Sequence, residues 1–514
     1  MASSESRRVA HSLDALIRHQ SNVRGDAAFL VDARSGASLS YADLRSQVAA
    51  TAKKLTVGHL DRGGRVGLLL RDPLTFSAWF LTALAAGFWV APLDPTLPDG
   101  QLLFVDERVA SLDLQVVVSD RRAPAGVSAP WVGVDDSVGE CARAPLASTR
   151  VVGDDRGGVL LASSGTTGAP KVVALSIEQL LANASFIAHH NQLRESDRGF
   201  SPLPLWHVNA EVVGLLATLV AGASLVLDDR FHRTGFWDVI AGLDVTWINA
   251  VPAIISRLVS GPDSDRAPAG VRFVRSASAP LSPALSANFE SLTGIPIIES
   301  YGMTEAASQI CVNPLYGVRK VGSVGPAVGA SVRVVALDGA GSVDAGVVGH
   351  VEIKGSTVIT TYESAAYDDR FDQGGWLRTG DLGHLDENGY LFLVGRADDV
   401  INRGGEKVYP LEIEHVLSDL DGVAAVAVVG EAHDVFGHVP VAYVQPRDVE
   451  ILSSHVQSTS FVERVRAVSL ASLSKSSRPA SVKLVESFPV HATGKIRKGM
   501  LRDGEVVVAF EELL

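Results

Sequence analysis

The apolar positions in the first three hundred residues alternate between two textures. Ile177-Glu178-Gln179-Leu180-Leu181-Ala182-Asn183-Ala184-Ser185-Phe186-Ile187 repeats at the helical period and predicts an amphipathic helix. Just before it, Val159-Leu160-Leu161-Ala162 is a short apolar run that ends in glycine and hydroxyl residues, as a buried strand entering a tight loop would. Leu74–Ala86 predicts a buried helix stopped by Gly87, and Phe88–Ala91 predicts the following strand. Val212–Ala221, Gly222 and Ala223–Leu227 repeat that layout. Phe76 to Leu93 carries no charge, which is the length of a membrane span, but Gly87 and Pro92 cut it into helix and strand. Ser40 is placed to cap a helix that runs to about Leu55. No repeat of 20–50 residues is visible, and the alternation continues to about residue 310. Such a pattern predicts a mostly parallel sheet, covered by helices on both faces, in an α/β fold.

Near Lys320 the texture changes. Ser331–Val335 and His350–Lys354 are short runs between glycine-rich turns, predicting an antiparallel, barrel-like subdomain over about 315–395. Gly395-Arg396-Ala397-Asp398-Asp399 is charged and led by glycine, as a linker is. Beyond it, a helix at Pro410–Leu420, strands at Val423–Val429 and Val439–Val444, a helix near Phe461–Leu473 and a strand at Ser481–Val485 predict a small α+β domain. Gln445–Ser460 reads as a loop. The expected division is a large domain over 1–396, a connector at 397–399 and a small C-terminal domain over 400–514.

With 514 residues there is ample volume for more than one core. The net charge of −13 disfavours binding to nucleic acid or to an anionic membrane, so any anionic ligand must meet locally gathered cations. Cys141 and Cys311 form neither a disulfide framework nor a zinc spacing, and Met1–Ser12 lacks the apolar run of a signal peptide. The expected compartment is the cytoplasm.

The densest chemistry lies in Ser163-Ser164-Gly165-Thr166-Thr167-Gly168-Ala169-Pro170-Lys171. Glycines let backbone N–H groups approach an anion, hydroxyls add donors and lysine adds charge, which together make a phosphate cradle. It is not a P-loop: no glycine directly precedes Lys171, and Val172, which cannot ligate a metal, follows it. A plain surface loop is the bland alternative. The stretch closely resembles the signature of the adenylate-forming superfamily, which includes acyl-CoA synthetases, luciferases and peptide-synthetase adenylation domains.

Further motifs follow in that family's order. In Tyr301-Gly302-Met303-Thr304-Glu305, tyrosine can stack on a purine, glycine permits close approach, threonine offers a hydroxyl to phosphate, and Glu305 is a hard oxygen ligand for Mg²⁺. The resemblance makes Ser278-Ala279-Pro280 a wall of the adenine pocket and gives Asp381 the ribose hydroxyls. It sends Arg396 to the nucleotide and makes Asp398 the hinge of a mobile lid. Gly404 and Gly405 would let a pantetheine arm pass, and Lys495 would swing over the site to the carboxylate and α-phosphate. Thr166 and Glu305 are the implied metal residues. His207, alone more often a satisfied histidine, would border the carboxylate pocket with Trp206, Val208, Asn209, Asn249, Ala250 and Val251.

The implied reaction is attack of a carboxylate on the α-phosphorus of MgATP, giving acyl-AMP and pyrophosphate, then transfer to the thiol of coenzyme A. Lys171, Thr166 and Thr167 would hold phosphates while Lys495 neutralises charge. Val172 and Ile177 depart from the family pattern peripherally. Ser476-Ser477-Arg478-Pro479 departs more seriously, because synthetases commonly carry Tyr-Lys-x-Pro there. An enzyme making only acyl-AMP, with the thioester completed elsewhere, is the alternative. Intact Lys495, Glu305 and Asp381 argue against a third reading, an inactive nucleotide-binding regulator. With no arginine or lysine in the implied lining, the expected substrate is an apolar monocarboxylic acid.

Overall fold

A computed structural model describes residues 12–57, 60–96, 110–121, 131–134, 157–163, 171–260, 266–339, 341–490 and 495–514. Ser164, Gly165, Thr166, Thr167, Gly168 and Cys141 lie outside the described residues.

The alternating region folds into two sheets. One has six strands in the order Trp131–Gly133, Val116–Ser119, Arg65–Leu69, Trp89–Pro92, Gly158–Ser163, Lys171–Ser176. They are parallel except for the last pair. The other has eight, ordered Ser308–Val312, Ile297–Met303, Phe273–Ser276, Trp247–Ala250, Arg198–Ser201, Ser224–Leu227, Ala28–Asp32, Ser38–Ser40, antiparallel only at its two edges. The central strands are buried throughout, which is why they read as unbroken apolar runs without alternation.

Local chemistry accounts for the element ends. The helix Pro73–Ala85 starts on the Asp72 cap with proline in its first turn and leads into Gly87, at a φ of 89°. In the helix Ile177–His190, Ser176 and Gln179 cap each other's backbone N–H groups reciprocally. Ser40 caps the N–H of Asp43 at 3.0 Å in the helix Tyr41–Val57. Two differences stand out from the pattern-based reading. A strand, Lys171–Ser176, intervenes between the glycine-rich loop and the following helix. The helix expected at Val212–Ala221 begins earlier, as a π-helical segment over Asn209–Leu216 that runs into Ala217–Ala221. π-Helical stretches are rare and concentrate at functional sites.

The later antiparallel region is a four-stranded sheet: Ser331–Val335, Gly349–Lys354, Leu377–Leu385, Leu391–Arg396. Bridges from Pro326 to Tyr390 and from Cys311 to Ala327 connect it to the eight-stranded sheet. The C-terminal sheet is built on the long hairpin Val423–His433 and Gly437–Pro446, extended by Ser481–Val485 and Val508–Leu513. Within Gln445–Ser460, expected as a loop, lie a short 3₁₀ turn, Val449–Ser453, and the start of the helix His455–Ser472. No helix among the described residues is long and apolar enough to cross a membrane.

The apolar cores divide along the chain. Two buried clusters draw on residues between Leu13 and Leu391, and two others on residues between Ile401 and Leu501. No buried cluster straddles the segment between Leu391 and Ile401 among the described residues.

Candidate active site

Glu305 follows the strand Ile297–Met303 in a single 3₁₀ turn, Thr304–Ala306, and is buried. Its position is fixed by the irregular segment 358–363. Gln179 Nε2 donates to the Val358 carbonyl at 2.9 Å, and the Ile359 N–H donates to the Glu305 carbonyl at 2.9 Å. The Tyr362 hydroxyl donates to Glu305 Oε1 at 2.9 Å. The Glu363 N–H then donates to the Val172 carbonyl at 3.3 Å, and its carboxylate pairs with Arg65 at 3.0 Å. One segment thereby stitches the glutamate to the hairpin carrying Lys171, and both to the first sheet.

Lys171 begins its strand with Nζ over the Tyr367 ring at 5.0 Å from the centroid. Burial and then the nearby Arg370 lower the pKa of this ammonium, while Glu305 supports its charge. Tyr362, Tyr367 and Arg370 carry no family motif in the sequence. Their role follows only from the fold, which sets Tyr362 against Glu305 and the 3₁₀ turn Ala365–Arg370 beside Lys171.

A second carboxylate stands opposite. Asp381 Oδ1 accepts from Arg396 Nη1 at 2.9 Å, and its Oδ2 accepts from the Tyr301 hydroxyl at 2.5 Å. Arg396 also donates to the Thr379 carbonyl at 3.1 Å. Both residues belong to paired strands, with Asp381 opposite Arg396 in the register. Gly380, at a φ of 80°, leaves room for the guanidinium, since a Cβ there would stand 2.7 Å from Arg396 Nη2. Burial and the adjacent Asp381 push the Tyr301 phenol well above its usual pKa, so it stays a hydrogen-bond donor. Burial opposes the charge of Arg396, but Asp381 and the other neighbouring negative groups outweigh it.

Gly302 has a different reason from the one its motif suggests. A Cβ there would lie 1.6 Å from the Ser308 carbonyl oxygen, so glycine is required by the hairpin's own backbone before any ligand arrives. The hairpin turns through Ala307 and Ser308 at φ of 51° and 94°, and its pairing shifts between Tyr301 and Gly302. Met303 and Thr304 are half-buried beside it.

Lys495 arrives from the far C-terminal part of the chain. Its side chain remains open to solvent on one side, yet enough protein surrounds it that burial lowers its pKa. Asp381 and Glu305 favour its charge and Arg396 opposes it. Asp398 is exposed and acts on both Lys171 and Arg396. Five charged side chains, separated by up to 324 positions in sequence, therefore share one field: Lys171, Glu305, Asp381, Arg396 and Lys495.

The sequence of this chain matches the model of the AMP-binding enzyme family over residues 17–363 and that of the AMP-binding enzyme C-terminal domain over 412–495. The chain belongs to the AMP-binding enzyme family. A sulfoacetate–CoA ligase of Cupriavidus necator is 33% identical, with 95% of this chain and 97% of that protein covered. The long-chain-fatty-acid–CoA ligase FadD13 of Mycobacterium tuberculosis is 29% identical, with 95% and 97% covered. Among solved structures, ATP-bound MatB from Rhodopseudomonas palustris superposes with a TM-score of 0.83 at 27% identity, covering 96% of this chain and 98% of that one. The two ligases take acids of very different size and charge, so family membership alone does not specify the acid.

The remaining candidates are placed as follows. Ser163 ends its strand directly across from Lys171. Ser278 and Ala279 are half-buried and Pro280 is exposed; Ser278 has a φ of 73°, a strained value for a side chain with a Cβ. Trp206, His207 and Val208 are half-buried on the approach to the π-helical segment. Asn249 and Ala250 are fully buried at the end of the central strand Trp247–Ala250, and Val251, nearly buried, leads into the helix Pro252–Val259. Gly404 and Gly405 form a turn at φ of 60° and 96°. Arg403 beside them donates to the carbonyls of Lys475, Ser476 and Arg478 at 3.2, 2.8 and 3.1 Å. The Ser-Ser segment that departs from the family pattern is thus held by an arginine from the glycine loop.

A cation that the expected lining does not include stands next to it: Arg275 is fully buried, and its Nη1 lies 3.5 Å from Asn209 Oδ1.

Proposed function

We infer that the protein is an AMP-forming acid–thiol ligase: it activates a carboxylic acid with ATP to acyl-AMP and pyrophosphate, then transfers the acyl group to the thiol of coenzyme A. The observation that carries this reading is the convergence of Lys495 on the field of Asp381, Arg396 and Glu305.

A carboxylate is a poor acyl donor because its oxygen leaves badly as oxide. Attack on the α-phosphorus converts that oxygen into part of a good leaving group, with pyrophosphate released. Two anions must be brought together, so this chain's task is alignment and charge neutralisation. Lys171, with Ser163 through Gly168, holds the phosphates; Lys495 meets the α-phosphate and the carboxylate from the other side. Asp381 accepts from the ribose hydroxyls, which displace the Tyr301 donor and free its ring to flank the adenine beside Ser278–Pro280. The Glu305 carboxylate, with one oxygen held by Tyr362, and Thr166 suit Mg²⁺, which would neutralise phosphate charge. In this reading residues 1–396 hold the nucleotide, Asp398 is the pivot, and 400–514 is the lid. The split of the cores around residues 391–401 supports that division.

Lys495 also gives a pH signature. Burial holds its pKa below the 10.5 of an ordinary lysine, so its charge is lost as pH rises through the lowered value. The alkaline limb of kcat/KM for adenylation, which reports the free enzyme, should therefore fall below 10.5. A limb at or above that value would contradict the placement of Lys495.

The direct test is a panel of carboxylic acids with ATP and Mg²⁺, with and without coenzyme A. Pyrophosphate release with acyl-AMP accumulation is expected without the thiol, and a thioester with it. Acyl-AMP with no thioester would favour the second reading, an enzyme whose acyl-AMP is completed on another thiol. The seating of Arg403 on the 475–478 carbonyls favours that reading, because it leaves this arginine no free donor on Nη1 for the incoming thiol substrate.

A further inference from the structure

Arg275 stands in the middle of the strand Phe273–Ser276, in a helix-covered sheet where side chains of this kind are almost never fully buried without a paired acid. It has no ion-pair partner among the described residues; its guanidinium is met by two neutral side-chain oxygens. Nη1 reaches Asn209 Oδ1 at 3.5 Å, and Nη2 donates to Gln309 Oε1 at 3.2 Å. Asn249, the register neighbour of Arg275, donates from Nδ2 to the same Asn209 oxygen at 3.1 Å. Asn209 Nδ2 in turn donates to Ser278 Oγ at 3.4 Å. Arg275 Nε and Gln309 Nε2, both buried donors, have no hydrogen-bond partner among the described residues. Asn249 Oδ1 is an unpartnered acceptor in the same cluster, but no carboxylate pairs with the guanidinium among the described residues.

The neighbouring titratable groups do not supply a counter-charge. Glu211, two residues along the π-helical segment, has its pKa raised well above the usual carboxylate value by complete burial, which disfavours its charge, and it makes no ion pair with Arg275. His190 is held neutral, by burial first and with the Arg275 charge adding to it. Burial without an acid brings the Arg275 guanidinium down to about 9, far below its ordinary value. An unpaired buried charge is costly, and such groups persist where a ligand brings the counter-charge. The way in is short. Asn209 keeps 9% of its surface exposed and Ser278 is half-buried, on the loop proposed to flank the nucleotide, so one side chain, Asn209, separates the guanidinium from that surface.

We propose that Arg275, backed by Gln309 and reached through Asn209, provides the counter-charge for a second anionic group on the acid, a carboxylate or a sulfonate on a short chain. The ligase would then select dianionic over monoanionic acids. This proposal rests on the adenylation reading above, and it replaces the apolar monocarboxylic acid that the lining residues suggested.

The test compares malonate and sulfoacetate with butyrate by pyrophosphate exchange, in the wild-type chain and in Asn209→Asp and Arg275→Gln. Asn209→Asp places a carboxylate on the guanidinium without removing packing, so it should raise Tm. Either variant should lower the ratio of dianion to butyrate kcat/KM by roughly a hundredfold, through KM, as expected for losing a buried charge partner. Malonate against sulfoacetate tells which second anion the subsite takes. Equal use of butyrate and the dianions by the wild-type chain would overturn the proposal, as would variants that depress all acids alike. Calorimetric titration of malonate into the protein without ATP separates the two readings. Binding that Asn209→Asp abolishes would sustain the subsite even if no acid supports exchange, and failure of both dianions to bind would end it.

Discussion

Lys495→Ala is expected to lower acid-dependent pyrophosphate exchange by a hundredfold or more, while the chain still converts supplied acyl-AMP and coenzyme A to thioester. The magnitude follows from what preorganised charge contributes. Removing one donor aimed at a developing oxyanion costs about 3–4 kcal/mol in a site that excludes water. In the proposed mechanism Lys495 is such a donor, and its ammonium already lies in the joint field of Asp381, Glu305 and Arg396. The residue should matter only for the first half-reaction, because the thiol then attacks the acyl carbon, AMP leaves, and no new bond is made at phosphorus. Rapid-quench measurement of the two halves decides the matter, and equal loss of both would refute the role. The ion pairs between Lys498 and Glu414, at 2.6 Å, and between Arg502 and Asp399 tie the helix Lys498–Arg502, just after Lys495, to the helix Pro410–Ser418 and to the connector without using Lys495 itself. The alanine variant should therefore fold normally.

The second large effect belongs to the other half-reaction. Gly405→Leu should leave exchange within a few-fold of wild type and reduce thioester formation below detection. Gly405 has a φ of 96° and gives its N–H to Asn402 Oδ1 at 2.9 Å. A Cβ built there meets nothing within 4 Å, so a leucine would project into open space, along the path proposed for the pantetheine arm. The strain of a left-handed leucine, roughly 1–2 kcal/mol, is too small to unfold the domain. Gly404 is a less clean target, because its Cβ would stand 3.1 Å from the Phe436 ring. An unchanged thioester yield in Gly405→Leu would remove the glycine pair from the thiol path.

Much of this architecture was legible in the chain. Helices with strong caps or glycine stops, Pro73–Ala85 and Ile177–His190 among them, read correctly because local hydrogen bonding and the apolar period agree. The strand Lys171–Ser176 was missed because four consecutive apolar residues, Val172 to Leu175, run straight into a helix with no turn residue between them. The early start of the π-helical segment at Asn209 was hidden because Pro204 to His207 looks like a loop in any window. At the site, residues carried by compact motifs could be nominated from sequence, whereas Tyr362 and Arg370 could not: only the crossing of segment 358–363 under Glu305 gives them a purpose. Arg275 did leave a trace. A charged residue inside the four-residue run Phe273-Val274-Arg275-Ser276 of a central strand must be answered by something, and the sequence alone offered no partner.

The central claim is that Lys171, Glu305, Asp381, Arg396 and Lys495 form one adenylating centre. Incorporation of labelled pyrophosphate into ATP, with Mg²⁺ and acid present and coenzyme A left out, tests it most directly. Label should enter ATP only when a suitable acid is added, and Lys495→Ala should abolish the signal. Label that enters ATP without any acid, or thioester that forms with no acid-dependent exchange, would contradict it.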